Sequence, residues 1–289
     1  MILTRGLLLS LAMLSCEARR PAPDWVRSAP AGAVMAVSFR ADWAMEQPRL
    51  RNLLEPYPMA GRSLDLLLMR ARINLSQGIG RITVFKGNTG EPVIQLGGIR
   101  DPGGLQVAIA DAFPVEGGQA ANPDRPVFVV LDLGPHHIRA MADGEGRVWL
   151  GGQAALAGLA AGGARADGAL AEASGWISPG AAVQGFIRQP ETWSLPKGID
   201  VLAWGVTPGP GPDSLNGFEM ALAGSKDAIQ GVAPWLERFL GSTTAMAGTP
   251  PQAPELLQER TRIGLRCPLT QEQVDVAMAK LDQPPLPCH

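Results

Sequence analysis

Acid–base or metal chemistry in this chain would depend on three histidines, His136, His137 and His289. Asp132 lies four positions before His136 near the end of a predicted strand, and this spacing places both side chains on the same face of a strand. Such a pair could ligate a metal ion or act as general acid and base in a hydrolase. The two adjacent histidines follow a Gly-Pro dipeptide, where solvated turn residues are the usual finding. We therefore favour a structural role for them and keep the hydrolase as the alternative.

Other catalytic signatures are absent from the sequence. It contains no G-x-S-x-G elbow, no H-E-x-x-H helix and no G-x-x-x-x-G-K-[ST] phosphate loop. Two G-x-G pairs, at 78–80 and 144–146, lack the third glycine and the strand-to-helix setting of a dinucleotide site, so we interpret both as turns. We expect no cofactor and no metal site, and a non-catalytic role is favoured over an enzymatic one.

The first sixteen residues have the features of an export signal. Arg5 precedes an apolar run at 6–14, which is too short for a bilayer-spanning helix of ~20 residues. The last residues of this region, Met-Leu-Ser-Cys at 13–16, resemble the lipobox of bacterial lipoproteins. The resemblance implies that the thiol of Cys16 is acylated, that the chain is cut just before it, and that a membrane is the partner. Glu17, in place of aspartate, implies the outer membrane, facing the periplasm. Ordinary secretion, an uncleaved anchor and a different start of the chain are the alternatives.

The remaining two cysteines, Cys267 and Cys288, form an even pair in an oxidising compartment. A helix predicted over 271–281 rises ~16 Å, and the proline-rich return at 282–287 spans roughly 19 Å when extended. These matching lengths allow the two sulfurs to meet, so we predict a disulfide. Two free thiols are one alternative. A metal site with His289 is another, although it falls short of four ligands.

Composition limits the class of protein. The 289 residues are 46% hydrophobic and 18% charged, enough to bury a core, while 35 glycines and 26 prolines indicate many turns. With 25 basic and 27 acidic residues the net charge is −2 and no run of one sign stands out, which excludes a broad nucleic-acid surface. The seven tryptophans are dispersed along the chain, so we interpret them as core residues. A stacking platform for sugars or bases is the alternative.

Strands and helices are predicted to alternate along the folded part of the chain. Strands are expected at 34–39, 82–86, 92–99, 127–133, 137–142, 147–150, 181–188, 201–206, 218–223 and 256–267. Helices are expected after 47–48, at 64–75, from 101, in two pieces over 153–174, at 229–240 with a kink at Pro234, and at 271–281, which a capping box at 270–273 opens.

The second half of this pattern repeats the first. A Pro-Ala-Gly-Ala-Val opening at 30–34 recurs as Pro-Gly-Ala-Ala-Val at 179–183, 149 positions later, and Gly-Ile at 78–79 recurs at 198–199, 120 positions later. We interpret this as a divergent internal duplication; chance recurrence of a common α+β motif is the alternative. The predicted fold is α+β, with two divergent copies of an antiparallel sheet that each have helices packed on one face.

The predicted organisation has five parts. A signal peptide covers 1–15, a proline-rich tether that need not fold covers 16–30, two α+β lobes cover 31–175 and 176–282, and a C-terminal tail covers 283–289. Together these features predict an exported, lipid-anchored envelope protein with a non-catalytic binding or scaffolding role. A periplasmic hydrolase that uses His136 or His137 with Asp132 is the alternative function.

Overall fold

The computed structural model describes residues 22–30, 32–46, 79–87, 92–101, 127–131, 138–143, 145–160, 168–188, 197–209, 216–232, 234–236, 254–270 and 272–273. In chain order the elements are α1 (Asp24–Arg27), β1 (Ala33–Arg40), α2 (Ala41–Glu46), β2 (Arg81–Gly87), β3 (Val93–Gly97), β4 (Val127–Leu131), β5 (Ile138–Ala142), β6 (Val148–Gly151), α3 (Gln153–Ala160), α4 (Gly168–Ser174), β7 (Val183–Arg188), β8 (Ile199–Thr207), β9 (Asn216–Gly224), α5 (Lys226–Gly231), β10 (Glu255–Gln258) and β11 (Arg262–Leu269).

The strands form one large antiparallel sheet, so the fold is α+β. Eleven strands lie in the order β10-β11-β9-β8-β7-β1-β2-β3-β6-β5-β4, and every neighbouring pair is antiparallel. β1 and β7 join the two halves at the centre, with Ala36 opposite Phe186 and Val37 opposite Gly185. Because this pairing links residues about 150 positions apart, the strand pattern of the sequence does not reveal it.

Helices pack on both faces of the sheet, and the expectation of helices on one face only is wrong. On β9, Ala221 and Ala223 face the cluster that includes α1, α3 and α4, while Met220 and Leu222 face the cluster that includes α5. We call the first side the front face and the second the back face. Both sets of alternating side chains are buried, which requires cover on each side because apolar area is stable only away from water.

The C-terminal part of the predicted tether is folded. Residues Asp24–Arg27 form α1, in which Trp25 is 5% exposed and Val26 is fully buried. The tether prediction is therefore wrong for this stretch, because an indole that large stabilises a docked position when it enters an apolar core. Residues 16–21 and the predicted signal peptide lie outside the described residues.

Most predicted strands are confirmed, with one correction near the C-terminus. The single strand predicted at 256–267 is a hairpin, β10 and β11, that turns at Glu259–Arg262. The backbone N–H of Glu259 donates to the carbonyl of Arg262 at 2.8 Å, and the Arg262 guanidinium donates to both oxygens of the Glu259 carboxylate at 2.8 Å. This ion pair closes a turn that contains no glycine, proline or asparagine.

The predicted helices are confirmed where they fall on described residues. Two helices, α3 and α4, occupy 153–174, and α5 ends at Gly231 before helical structure resumes at Pro234, as proline favours a first helical position. The capping box is present, since the N–H of Thr270 donates to Gln273 Oε1 at 3.0 Å and the N–H of Gln273 donates to Thr270 Oγ1 at 3.2 Å. The helices predicted after 47–48, at 64–75 and from 101, and the rest of that at 271–281, lie outside the described residues.

Candidate functional site

Most of the residues singled out by sequence are not among the described ones. Cys16, Asp132, His136, His137 and Cys288 all fall outside them. The structure therefore does not test whether these residues lie together, and the lipidation, hydrolase and disulfide hypotheses remain predictions.

Cys267 is described, and its environment is that of a core residue. The side chain is 3% exposed on β11, where it packs with Leu269, Val206 and Phe218. Burial raises the pKa of its thiol. Since the thiolate is the reactive form of cysteine, the raised pKa disfavours the use of Cys267 as a nucleophile at neutral pH.

The N-terminal helix is fixed to the centre of the front face. The Trp25 ring stacks on Phe186 at a centroid distance of 5.9 Å and an interplanar angle of 10°. Its indole N–H donates to Gln184 Oε1 at 2.8 Å, and the amide nitrogen of Gln184 donates to the Ser178 carbonyl at 2.7 Å. Every polar atom in this chain of contacts has a partner, so α1 is held by both apolar and polar interactions.

A second polar contact fixes the end of α1. Ser28 Oγ donates to the Trp25 carbonyl at 3.1 Å and accepts from the amide nitrogen of Gln95 on β3 at 2.6 Å. Ser28, Gln95 and Gln184 are each no more than 9% exposed. Because unpaired buried polar groups are costly, this network determines where the chain enters the fold.

A shallow depression lies on the front face. Its lining residues are Trp176, Glu219, Met220, Leu257, Gly264, Leu265 and Arg266. Its cavity volume is only about 10 Å³, far below the ~300–1,000 Å³ of most small-molecule pockets. The depression therefore does not enclose a ligand and can serve only as part of a contact surface.

The aromatic wall of this depression is held rigidly. Trp176 lies so close to Gly264 that a Cβ there would be 1.9 Å from the indole ring, and the Arg262 guanidinium sits over the ring at 4.7 Å. Arg266 donates to Glu219 at 3.1 Å, and the other oxygen of Glu219 accepts the backbone N–H of Ser178. A preordered indole beside an ion pair is a typical surface for stacking and hydrogen bonding.

Sequence reasoning did not identify Trp176 as part of such a surface. The available signal was Gly264 inside an apolar strand, since a glycine at such a position often marks close approach by another group. The partner of that glycine lies 88 positions earlier in the chain, and nothing local to either residue connects them.

The described residues hold no group of three or more His, Cys, Asp or Glu side chains placed to bind a metal ion. Within the same residues, no helix has the length and apolar character needed to cross a bilayer. Comparison of the chain with protein-family models, with curated proteins and with solved structures gives no match.

Proposed function

We propose that this chain is an exported envelope protein, anchored through a lipid on Cys16, with a non-catalytic binding or scaffolding role. The docking of Trp25 is the observation that supports it best. Only seven residues separate Cys16 from Asp24, the first residue of α1, and a chain of that length spans at most ~25 Å. A lipid at Cys16 would therefore hold the folded body close to a membrane surface.

The buried contacts of α1 suit an attachment point. A tether that pulls on the N-terminus acts first on Trp25 and Val26, which are 5% and 0% exposed. Removing them from the core would expose a large apolar area, so the connection resists displacement. The depression beside Trp176 is the surface we propose for binding, because Arg262 lies over its indole and Arg266 pairs with Glu219 at its edge.

Membrane attachment is tested by fractionating cells that express the wild-type chain or Cys16→Ser. We expect the wild type in the membrane fraction and the variant in the soluble periplasmic fraction. Ser15→Ala, which keeps the cysteine and a small residue before it, is the matched control and should stay with the membrane. Equal recovery of wild type and Cys16→Ser in the soluble fraction contradicts the proposal.

The non-catalytic role has its own test. Purified wild-type protein and a His136→Ala, His137→Ala double variant are compared in a broad hydrolase screen together with metal analysis. We expect no turnover by either protein. Turnover by the wild type that the double variant loses would instead establish the hydrolase alternative.

We also propose that the chain consists of two divergent copies of one α+β unit, and the backbone hydrogen bonds before the first strand of each copy support this. Arg27 N–H donates to the carbonyl of residue 23 and Gly175 N–H to that of 171. Ala29 N–H donates to the carbonyl of residue 26, and Ile177 N–H donates to that of residue 174. Ala33 N–H donates to the carbonyl of residue 30, and Ala181 N–H donates to that of residue 178. In all three cases the second bond lies 148 positions after the first.

The strand pairing supports the same proposal. Val37 and Gly185, which are 148 positions apart, lie directly opposite each other at the centre of the sheet, where a two-fold axis between the copies would pass. Outward from this pair the order is β1-β2-β3-β6-β5 on one side and β7-β8-β9-β11-β10 on the other. In each set the first three strands follow the chain order, and the strand that comes last in the chain, β6 or β11, then lies beside the third strand, β3 or β9. β4 has no counterpart among the described strands.

The spacing of 148 is one residue shorter than the 149 of the aligned Pro-Ala motifs, and it moves the beginning of each proposed copy. The recurring unit begins at about residue 23 in the first copy and about 171 in the second. The expected boundaries were 31 and 176. An experimental structure in which residues 23–40 and 171–188 fail to superpose would contradict the duplication.

A further inference from the structure

The two ends of the described sheet differ by one strand, and the difference lies beside a hairpin that occurs twice. β5 and β6 form one hairpin, and β10 and β11 form the other. The inner strand of each pairs with the third strand of its set, β3 or β9. Beyond the outer strand of the first hairpin, β5, lies one more strand, β4, whereas β10 ends the order of the described strands.

The turns of the two hairpins have matching bonds. The backbone N–H of Asp143 donates to the Arg147 carbonyl at 2.9 Å, and that of Glu259 donates to the Arg262 carbonyl at 2.8 Å. The arginine of each turn also forms an ion pair with the acid at its start. Each acid directly follows its outer strand, so the turns determine which residue of β5 corresponds to which residue of β10.

Two residues of β10 direct their backbone groups away from β11, toward what we call the outer edge. Hydrogen-bonded pairs alternate with non-bonded pairs in an antiparallel ladder, and the bond at Glu259 makes Leu257 the next bonded position on β10. The N–H and C=O groups of Leu256 and Gln258 therefore point toward the outer edge. The register with β11 is unbroken and neither residue is charged, so β10 lacks two common protections of an edge strand, a bulge and an outward charge.

The corresponding residues of β5 are paired with a further strand. Ala140, the counterpart of Leu256, lies opposite Val129 of β4. It is fully buried, whereas Leu256 is 51% exposed. Ala142, the counterpart of Gln258, lies opposite Val127. The pairing of β4 with β5 thus shows what the outer edge of β10 can accept, which is an antiparallel strand.

Apolar side chains lie on both faces at the outer edge. Leu257 faces the front, where it lines the depression together with Trp176. Leu256 faces the back, on the side of the cluster that includes α5. A strand added here would extend both apolar surfaces, so it should carry apolar side chains on both of its faces. β4 has this character, since its sequence Val-Phe-Val-Val-Leu is apolar at every position.

We propose that the outer edge of β10 binds an extended segment of a partner protein, apolar on both faces, as an added antiparallel strand. Main-chain hydrogen bonds supply the affinity in this mode of recognition, and alternate side chains supply the specificity. Residues 243–247, at the same distance before β10 as β4 is before β5, read Thr-Thr-Ala-Met-Ala and precede prolines at 250, 251 and 254. The sequence there does not favour a comparable apolar strand, so we assign the added strand to a partner. This names the partner class for the binding role proposed above and rests on that role.

The site is tested with a fluorescein-labelled peptide of the β4 sequence, with two lysines at each end for solubility, in a fluorescence anisotropy titration with the purified chain. We expect saturable binding of one peptide per chain by the wild type. Gln258→Pro removes an outward N–H and places a ring at the outer edge while the bonds to β11 remain, so binding should weaken at least ~10-fold. Gln258→Ala keeps the N–H and is the matched control, which should bind as the wild type does. No saturable binding by the wild type, or equal binding by Gln258→Pro, overturns the proposal.

A second variant keeps the test decisive if Gln258→Pro does not fold. Leu256→Asp places a charge where the added strand would pack, and the fold should tolerate it because the side chain is 51% exposed. We expect binding to weaken at least ~10-fold, although the lysines of the peptide would favour an added carboxylate. Leu256→Met, which keeps an apolar side chain, should bind as the wild type does. Unchanged binding by Leu256→Asp contradicts the site.

Sedimentation velocity distinguishes a partner protein from a second copy of this chain. We expect the wild type to remain a monomer at the concentrations of the titration. Self-association that Leu256→Asp abolishes would assign the outer edge to a second copy and contradict the proposal. The fractionation and hydrolase tests described above judge the envelope role separately, so failure of this site is distinguishable from failure of that role.

Discussion

Replacing Trp25 by alanine removes the largest side chain that joins the N-terminal segment to the sheet. Trp25 is 5% exposed, stacks on Phe186 and lies 6.5 Å from the Phe85 ring centroid. Truncation of a buried tryptophan to alanine costs ~3–5 kcal/mol. We expect a loss of about 4 kcal/mol in the free energy of unfolding, a large share of the ~5–15 kcal/mol typical of folded proteins.

Trp25→Phe separates the polar part of this loss from the apolar part. The ring is retained, but Gln184 Oε1 loses the indole donor at 2.8 Å, and Gln184 is 2% exposed. An unsatisfied buried acceptor costs ~1–3 kcal/mol. The phenylalanine variant should therefore lie between the wild type and the alanine variant.

The assay is equilibrium unfolding in guanidinium chloride, monitored by circular dichroism so that the loss of tryptophan does not alter the signal. Leu256→Ala is the control, since Leu256 is 51% exposed on β10 and its truncation should cost less than ~1 kcal/mol. If Trp25→Ala is no more destabilising than Leu256→Ala, then α1 does not dock as described. The tether would in that case extend through residue 30.

Three further predictions concern the C-terminal half. Gly264→Ala should destabilise the fold by more than ~2 kcal/mol in the same unfolding assay, because its Cβ would lie 1.9 Å from the Trp176 ring, whereas Gly32→Ala has nothing within 4 Å of its Cβ and should be close to neutral. In reduced protein, burial raises the pKa of Cys267, so the unfolded state releases the thiol proton at a lower pH than the folded state does. The stability of the wild type should therefore fall as the pH rises above ~9. The reasoning is wrong if the difference in unfolding midpoint between wild type and Cys267→Ala is the same at pH 8 and at pH 10. A disulfide between Cys267 and Cys288 should stabilise the oxidised protein by ~3 kcal/mol, and two alkylatable thiols in non-reduced, periplasm-purified protein would exclude it.

Local elements were predictable because their signals are local. The alternating apolar residues of 201–206 and 218–223 predict strands that the structure contains as β8 and β9. The Thr-x-x-Gln pattern at 270–273 likewise predicts the reciprocal hydrogen bonds of a capping box. Such features depend on residues a few positions apart, where propensity and periodicity dominate.

The missed features depend on contacts between distant parts of the chain. The apolar residues at 256–267 predict one strand, because the ion pair between Glu259 and Arg262 that closes the turn has no glycine or proline signature. Trp25 lies in a proline-rich stretch, and its burial follows from the pairing of β1 with β7. The outer edge of β10 likewise depends on the order of the strands across the sheet, so composition and spacing do not indicate it.

The attachment of the protein to a membrane is tested most directly by the mass of its N-terminal peptide. Protein purified from the cell envelope is digested and the N-terminal peptide is identified by mass spectrometry. We expect the mature chain to begin at Cys16 and this residue to carry acyl groups. A mature chain that begins at another residue, or that begins at Cys16 with an unmodified thiol, would contradict it.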